Sequence, residues 1–290
     1  KIIKADFEAS FKRDVRRMKR WITIGLFFRR KLRKVGNPIG LLAHIEDYTL
    51  RELDLTNEIS GRNELILKAS EIEKNFSMPK LQFPKMWDEL SNRHVLVMEE
   101  IVHPTLEQHL EEGTLSWPDM LELFRIHGAF MFGIGTFHGD LHPGNAMMDD
   151  KGNFIFIDTG AICNAPDHVR NALFGFFYFL AKGELRHAYD AMLTMADVQP
   201  TGKTLQTYYD SMNELYDGFV GTSVSEVSLT EQMMKTVKAA VLAGCSFGEE
   251  AFPIIRSLMY MDGMVLKGHP EVDLISSMGP YLDEFSVLID

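Results

Sequence analysis

The sequence predicts an α+β fold in two lobes, a small mixed lobe over residues 1–100 and a mainly helical lobe over residues 101–290. Three observations carry that reading. From Pro166 to Asp290 the apolar residues recur at helical spacing with few strand signals. Ala146-Met147-Met148 and Phe154-Ile155-Phe156-Ile157 flank Asp149-Asp150-Lys151-Gly152-Asn153, a hairpin pattern with its turn on the acidic-glycine segment. His94-Val95-Leu96-Val97-Met98-Glu99 is a short apolar run with the character of a buried strand.

At the start of the chain, residues 1–34 hold 13 Lys or Arg against three acids, while the remainder holds 17 against 38, so the net charge of −11 conceals two different parts. Arg16 to Lys31 interleaves cations with Trp21, Ile22, Ile24, Leu26, Phe27 and Phe28. A helix lying on an anionic membrane surface has this pattern, and so does a solvated helix whose aromatic stripe packs inward. Nucleic acid is disfavoured as a partner, because the acidic remainder would repel a phosphate backbone. No apolar run reaches the roughly 20 residues that span a bilayer. Ala172 to Ala181 is half that length and reads as a buried helix.

Val35 to Gly40 is a loop by its Gly and Pro content, and Leu41 to about Lys68 lacks proline and favours a long helix carrying Glu52, Asp54 and Glu58. Pro79 and Pro84 punctuate the connection into the His94–Glu99 run. Ser116-Trp117-Pro118-Asp119 offers a cap, an early proline and an acid three residues on, so a helix starts there and runs through about Gly133. Gly135 to Asn145 is too rich in Gly and Pro to be regular and reads as a loop. Asn164 before Ala165-Pro166 marks the next helix start.

With 290 residues, 46% of them hydrophobic, the chain can bury one large core or two modest ones, and no repeats or low-complexity stretches interrupt it. Cys163 and Cys245 are too far apart for a metal or redox pair motif and too few for a disulfide framework, which fits a reducing compartment or one indifferent to disulfides. The chain opens on Lys1, as a fragment or processed product would, so any upstream targeting segment is invisible.

The segment that carries chemistry is His138-x-Asp140-x-x-x-x-Asn145, then the hairpin, then Asp158-Thr159-Gly160 thirteen residues after the asparagine. Phosphoryl transfer needs a positioned nucleophile and a divalent metal held against the β and γ phosphates. Magnesium prefers hard oxygen ligands, which the Asp158 carboxylate and the Asn145 amide supply from either end of the hairpin. Asp140, five residues before Asn145 on the same loop, is placed to take or orient the acceptor's proton. The bland reading makes Asp158 a helix cap and Asp140 a solvated turn residue, and the order of loop, asparagine, hairpin and Asp-x-Gly weighs against it. His142 is a metal ligand by type, but Pro143-Gly144 after it favours a structural role, and His138 reads as loop support through hydrogen bonds.

The run His138-Gly139-Asp140-Leu141-His142-Pro143-Gly144-Asn145, followed by Phe156-Ile157-Asp158-Thr159-Gly160, resembles the catalytic loop and magnesium motif of kinase-fold enzymes. Two branches share it, the UbiB/AarF atypical kinases and the aminoglycoside or choline phosphotransferases. Three further segments resemble the first branch: Glu52-Leu53-Asp54-Leu55-Thr56-Asn57-Glu58 its Glu-x-Asp helix motif, Val95 to Glu99 its hinge strand, and Leu258-Met259-Tyr260-Met261-Asp262-Gly263 its C-terminal helix. The resemblance covers nearly the whole chain. It implies a protein-kinase-like two-lobe fold with the N-lobe truncated and the C-lobe mainly helical.

By the same resemblance Asp140 is catalytic, Asn145 and Asp158 hold magnesium and bind ATP, and Glu58 pairs with the phosphate-binding lysine. Glu52 belongs to the family's own motif, and Met98, Glu99 and Ile101 line the nucleotide near its adenine. Lys1-Ile2-Ile3 followed by Phe7-x-x-x-Phe11-x-x-Asp14 resembles the family's strand lysine and its sequel, which makes Lys1 that lysine. Lys4 is the fallback, and a lysine upstream of Lys1 is the third possibility. The family's Lys-x-Gly-Gln motif and Ala-rich nucleotide loop are absent from this chain and belong before Lys1.

Ala161 to Ala165 is all that separates Gly160 from the Pro166 helix start, too little for the activation segment of a peptide-directed kinase. The expectation is therefore an ATP- and magnesium-dependent atypical kinase or ATPase that supports ubiquinone or other isoprenoid-quinone lipid biosynthesis. Its acceptor would be a lipid or quinone precursor. It would be membrane-associated, at the cytoplasmic side of a bacterial inner membrane or in a mitochondrion or plastid, with peripheral contact through residues 16–34 and biosynthetic-complex or homodimer partners. A small-molecule phosphotransferase of the aminoglycoside or choline type, and a non-catalytic module that uses nucleotide as a switch, remain as alternatives.

Overall fold

Capping side chains set many of the helix starts in the computed structural model, which describes residues 1–4, 6–28, 42–43, 46, 49–248 and 251–289. Internal contacts divide the chain into two units. The smaller takes Lys1–Asn63, Pro84–Ile101 and Asp158–Ala161, and the larger takes Glu64–Phe83, Val102–Ile157 and Ile162–Asp290.

In the smaller unit, helix α1 (Phe7–Phe28) buries Val15 and leaves Met18, Trp21 and Ile24 exposed. Helix α2 (Thr56–Ile72) begins later than the sequence suggests. The continuous helix expected over 41–68 is interrupted at Leu53–Leu55, because Asp54 Oδ1 accepts from Thr56 N at 3.2 Å and from Thr56 Oγ1 at 2.6 Å. That local bond satisfies the backbone in a non-helical conformation, so Glu52 and Asp54 precede the helix that carries Glu58. The predicted loop at 35–40, and positions 29–34 of the basic segment, lie outside the described residues.

The expected strand at His94–Glu99 is reduced to single bridges, Val95 with Ile2 and with Asn92, and Met98 with Met86. Backbone bonds still run to both neighbours, Leu96 N to Lys1 O at 2.9 Å and Trp87 N to Val97 O at 3.0 Å. A small core of Leu55, Met86 and Leu96 forms beneath them, packed by Ile3, Ile59 and Met98.

In the larger unit, β1 (Leu81–Gln82) runs parallel to β4 (Phe154–Phe156), and β4 pairs antiparallel with β3 (Ala146–Met148) in the register Ala146 to Phe156 and Met148 to Phe154. This is the predicted hairpin. Asp149 Oδ1 accepts from Lys151 N and Asn153 N, both at 2.9 Å, which shapes its turn. Helix α3 (Leu106–Glu112) starts on a capping box between Thr105 and Gln108. Helix α4 (Trp117–Gly128) starts on Ser116, whose hydroxyl accepts from Asp119 N at 3.3 Å, and continues as a π turn over Ala129–Ile134.

Gly135 closes that turn at φ 83°, where a Cβ would stand 3.3 Å from Ala165 O, so both backbone and space call for glycine. The segment after it is not all loop, as the sequence suggests. Thr136–His138 forms β2, paired antiparallel with β5 (Ile162–Asn164). Asn164 consequently does not cap a helix: its Oδ1 accepts from Thr136 Oγ1 at 2.6 Å within the ladder, and α5 (Asp167–Ala181) starts after Pro166.

Helix α5 buries Val169, Ala172, Leu173, Phe176, Phe177 and Leu180, a stripe at helical spacing, and its apolar run from Ala172 is the expected buried helix. Helices α6 (Leu185–Thr194), α7 (Lys203–Tyr216), α8 (Leu229–Leu242), α9 (Phe252–Gly268) and α10 (Leu274–Phe285) complete one continuous apolar core. Asp262, in α9, accepts from Leu229 N and Thr230 N at 3.0 Å each and from Ser228 Oγ at 2.7 Å, and so caps α8 from a neighbouring helix. Among the described residues no helix is long and apolar enough to cross a membrane.

Candidate active site

Three of the charged residues singled out in the sequence meet in the smaller unit. Lys1 Nζ lies 2.6 Å from Glu58 Oε1 and 3.2 Å from Asp158 Oδ2. Glu58 stands in the first turn of α2 and is buried. Its other oxygen accepts from Thr159 N at 2.9 Å, while Thr159 Oγ1 donates to Glu58 O at 2.7 Å. One carboxylate therefore ties the lysine to the Asp158-Thr159-Gly160 segment.

Burial pushes the Glu58 carboxyl up, against the pull of the Lys1 ammonium, and the like charge of Asp158 adds to the rise. For Lys1 burial acts downward, yet Glu58 and Asp158 outweigh it and its pKa is raised. The two shifts favour opposite states of the pair. The ammonium is the firmer side, because it faces two carboxylates whereas Glu58 faces one cation and one like charge.

Elsewhere in this unit, Glu99 N donates to Lys85 O at 2.8 Å and Glu99 Oε2 accepts from Lys85 N at 3.0 Å. Met98 bridges to Met86, Ile101 is half-buried, and Glu52 and Lys4 are exposed.

The larger unit contains Asp140 and Asn145. Asn145 Nδ2 donates to Asp140 O at 2.9 Å and reaches Asp140 Oδ2 at 3.4 Å. Asp140 N donates to His138 Nδ1 at 3.2 Å, and Gly144 N to His142 Nδ1 at 3.0 Å, so both histidines accept from the loop's own backbone. The loop is tight enough that a Cβ on Gly144 would fall 2.8 Å from His142 Cε1. The end of β4 joins it through Ile157 N, which donates to Asn145 O at 3.1 Å, and Asp158 is the next residue.

The sequence places Thr159 in the Asp-x-Gly motif and Tyr260 in the segment that resembles the family's C-terminal helix but gives neither a role, and it does not single out Arg256. In the structure Thr159 is fully buried against Glu58, and Arg256 and Tyr260 lie on α9. Tyr260 Oη donates to Asp140 Oδ1 at 2.8 Å, and Arg256 Nη2 donates to Gly139 O at 2.6 Å. The i, i+4 spacing of this arginine and tyrosine on one helix was the available signal, and nothing local says which loop they face.

The family model described as ABC1 atypical kinase-like domain matches residues 1–192. Among curated proteins, the probable protein kinase UbiB of Pasteurella multocida (strain Pm70) is 22% identical over 257 residues, covering 86% of this chain and 47% of its own length. The probable protein kinase UbiB of Glaesserella parasuis serovar 5 (strain SH0165) is 22% identical over 300 residues, with coverages of 98% and 52%. A Clostridium pasteurianum protein named "Uncharacterized protein in hydrogenase 1 5'region" is 22% identical over 241 residues, with coverages of 81% and 43%. The chain spans about half the length of these relatives. A solved structure titled "The complex structure of Rv3197-erythromycin from Mycobacterium tuberculosis" is similar at a TM-score of 0.53 and 15% identity, over 93% of this chain and 70% of that one. That likeness speaks to fold, and the fold is α+β and protein-kinase-like with a mainly helical C-terminal part.

Proposed function

This chain belongs to the ABC1 atypical kinase-like domain family, and from that premise we propose that it binds magnesium-ATP and acts as an atypical kinase or ATPase. The observation that carries the reading is the Lys1–Glu58–Asp158 cluster, with its 2.6 and 3.2 Å contacts. A lysine held by a buried glutamate is an oriented cation for nucleotide phosphates, and a carboxylate beside it is a hard ligand for magnesium.

The residues present fit that metal. Asn145 turns its amide nitrogen to Asp140, which leaves the amide oxygen facing the opposite way. Among the described residues no cluster of three or more His, Cys, Asp or Glu would hold a metal on its own. Magnesium is commonly bound through one or two protein oxygens with waters and phosphates completing its shell, and the order and spacing of Asn145 and Asp158 in the sequence support these two as the protein's share. When bound, the ion would neutralise charge on the transferring phosphoryl group. Asp140 would take or orient the acceptor's proton, and Met98, Glu99, Ile101 and Glu52 would line the nucleotide.

A small or lipid-like acceptor, or water, suits the connection after Gly160, where β5 and the start of α5 follow at once and leave no peptide-docking segment. The UbiB names of two relatives support a role in ubiquinone or related quinone lipid biosynthesis. The exposed Met18, Trp21 and Ile24 among the cations of α1 support contact with an anionic membrane surface.

The test is thermal unfolding of the full natural chain with and without magnesium-ATP, repeated for Asp158→Asn. Ligand at about a hundred times its dissociation constant adds roughly 2.7 kcal/mol, several degrees for a protein this size. A shift in wild type that disappears in the variant supports the reading. No shift in either overturns it.

A further inference from the structure

Helix α9 reaches the Gly139–Asn145 loop with two side chains one helical turn apart. Arg256 Nη2 holds Gly139 O at 2.6 Å, and Tyr260 Oη holds Asp140 Oδ1 at 2.8 Å. The tyrosine ring also packs edge-on against His142, with centroids 6.0 Å apart. On the other side of Asp140, Asn145 Nδ2 donates to the backbone oxygen at 2.9 Å and approaches Oδ2 at 3.4 Å, a long contact compared with the tyrosine bond.

We propose that Tyr260 is a positioning residue whose hydroxyl fixes the Asp140 carboxylate through Oδ1, so that Oδ2 is the oxygen presented to the phosphoryl acceptor. The inference rests on the reading of Asp140 given above and assigns a role to a residue 120 positions away, outside every loop motif.

The terminal torsion of an aspartate is broad and roughly two-fold, so its backbone alone does not say which oxygen faces outward. A hydrogen bond to an ionised oxygen is among the strong ones and selects a single orientation. Here the peptide before Asp140 is pinned by Arg256, the carbonyl after it by Asn145, and one carboxylate oxygen by Tyr260. The remaining oxygen can then take the acceptor's proton as the acceptor oxygen bonds to phosphorus and ADP leaves with the bonding pair. Burial first, and then the neighbouring Asp140, push the Tyr260 hydroxyl above its ordinary value, which keeps it a donor.

Tyr260→Phe removes the hydroxyl and keeps the ring. In the full natural chain, kcat and KM for ATP turnover, the melting temperature and the magnesium-ATP thermal shift are measured for wild type, Tyr260→Phe and Asp140→Asn. The expected result is a fall in kcat of about ten- to a hundredfold in Tyr260→Phe, with KM for ATP, melting temperature and nucleotide-induced shift unchanged. Turnover within twofold of wild type, beside an inactive Asp140→Asn, overturns the positioning role alone. So does a loss of kcat that comes with a matching loss of melting temperature or of the nucleotide shift. If wild type shows no turnover, or Asp140→Asn retains all of it, the reading of Asp140 falls and the inference falls with it.

Discussion

Acidification should destabilise the larger unit through His127, and the size of the effect follows from its burial. The ring is 1% exposed, shares a 2.7 Å hydrogen bond with Ser257 Oγ and packs edge-on to Phe137 at 6.0 Å between centroids. Burial first, and then the nearby His138, push its pKa from 6.5 down to about 3. Between those values the unfolded chain binds a proton that the native chain refuses. The contribution to stability is therefore fully present above pH 6.5 and is lost as the pH falls toward 3. At about 1.36 kcal/mol per unit the loss is about 3 kcal/mol by about pH 4.5 and nears about 5 kcal/mol at the lower limit, a large part of a typical domain's stability. Urea unfolding between about pH 7 and about pH 4.5 measures it, with wild type compared to His127→Gln, whose amide does not titrate and still reaches Ser257. The variant should be less stable at neutral pH by about 1–3 kcal/mol, and the gap should close or reverse in acid. A gap that stays constant across the range would refute the argument from burial.

Asp262→Ala removes the acceptor shared by Ser228, Leu229 and Thr230, and should cost about 2–4 kcal/mol in chemical denaturation. Asp262→Asn should cost less, and equal losses would contradict the cap. Thr159→Val deletes the buried 2.7 Å bond to Glu58 O, and faster hydrogen exchange in the first turn of α2 should report a local loss of about 1–3 kcal/mol. Replacing Met18, Trp21 and Ile24 together by serine should abolish flotation with anionic liposomes. Flotation that persists unchanged would remove α1 as the membrane contact.

The hairpin was legible because both its strands and its Asp-to-Asn turn are local in sequence, and the contact between Asn145 and Asp140 was legible because five positions of one loop separate them. Two local readings failed for one reason, a competing hydrogen bond. Asp54 offers Thr56 a cap where a continuous helix was expected, and Asn164 bonds to Thr136 across a ladder where a cap was expected. The strand Thr136–His138 was hidden because it has three residues and its partner is distant in sequence. Tyr260 and Thr159 act through contacts 120 and 101 positions away, which no periodicity encodes.

The stretch from Arg256 to Asp262 serves two masters on one helix, the Gly139–Asp140 peptide and the start of α8. Each residue turns the helix by about 100°, so a one-residue insertion or deletion here would rotate the residues after it by that angle relative to those before it, and the three side chains could no longer all meet their targets. The segment should accept many substitutions at Met259 or Gly263, one exposed and the other with open space around it, yet tolerate no change of length. Among natural variants its length should drift far less than its composition.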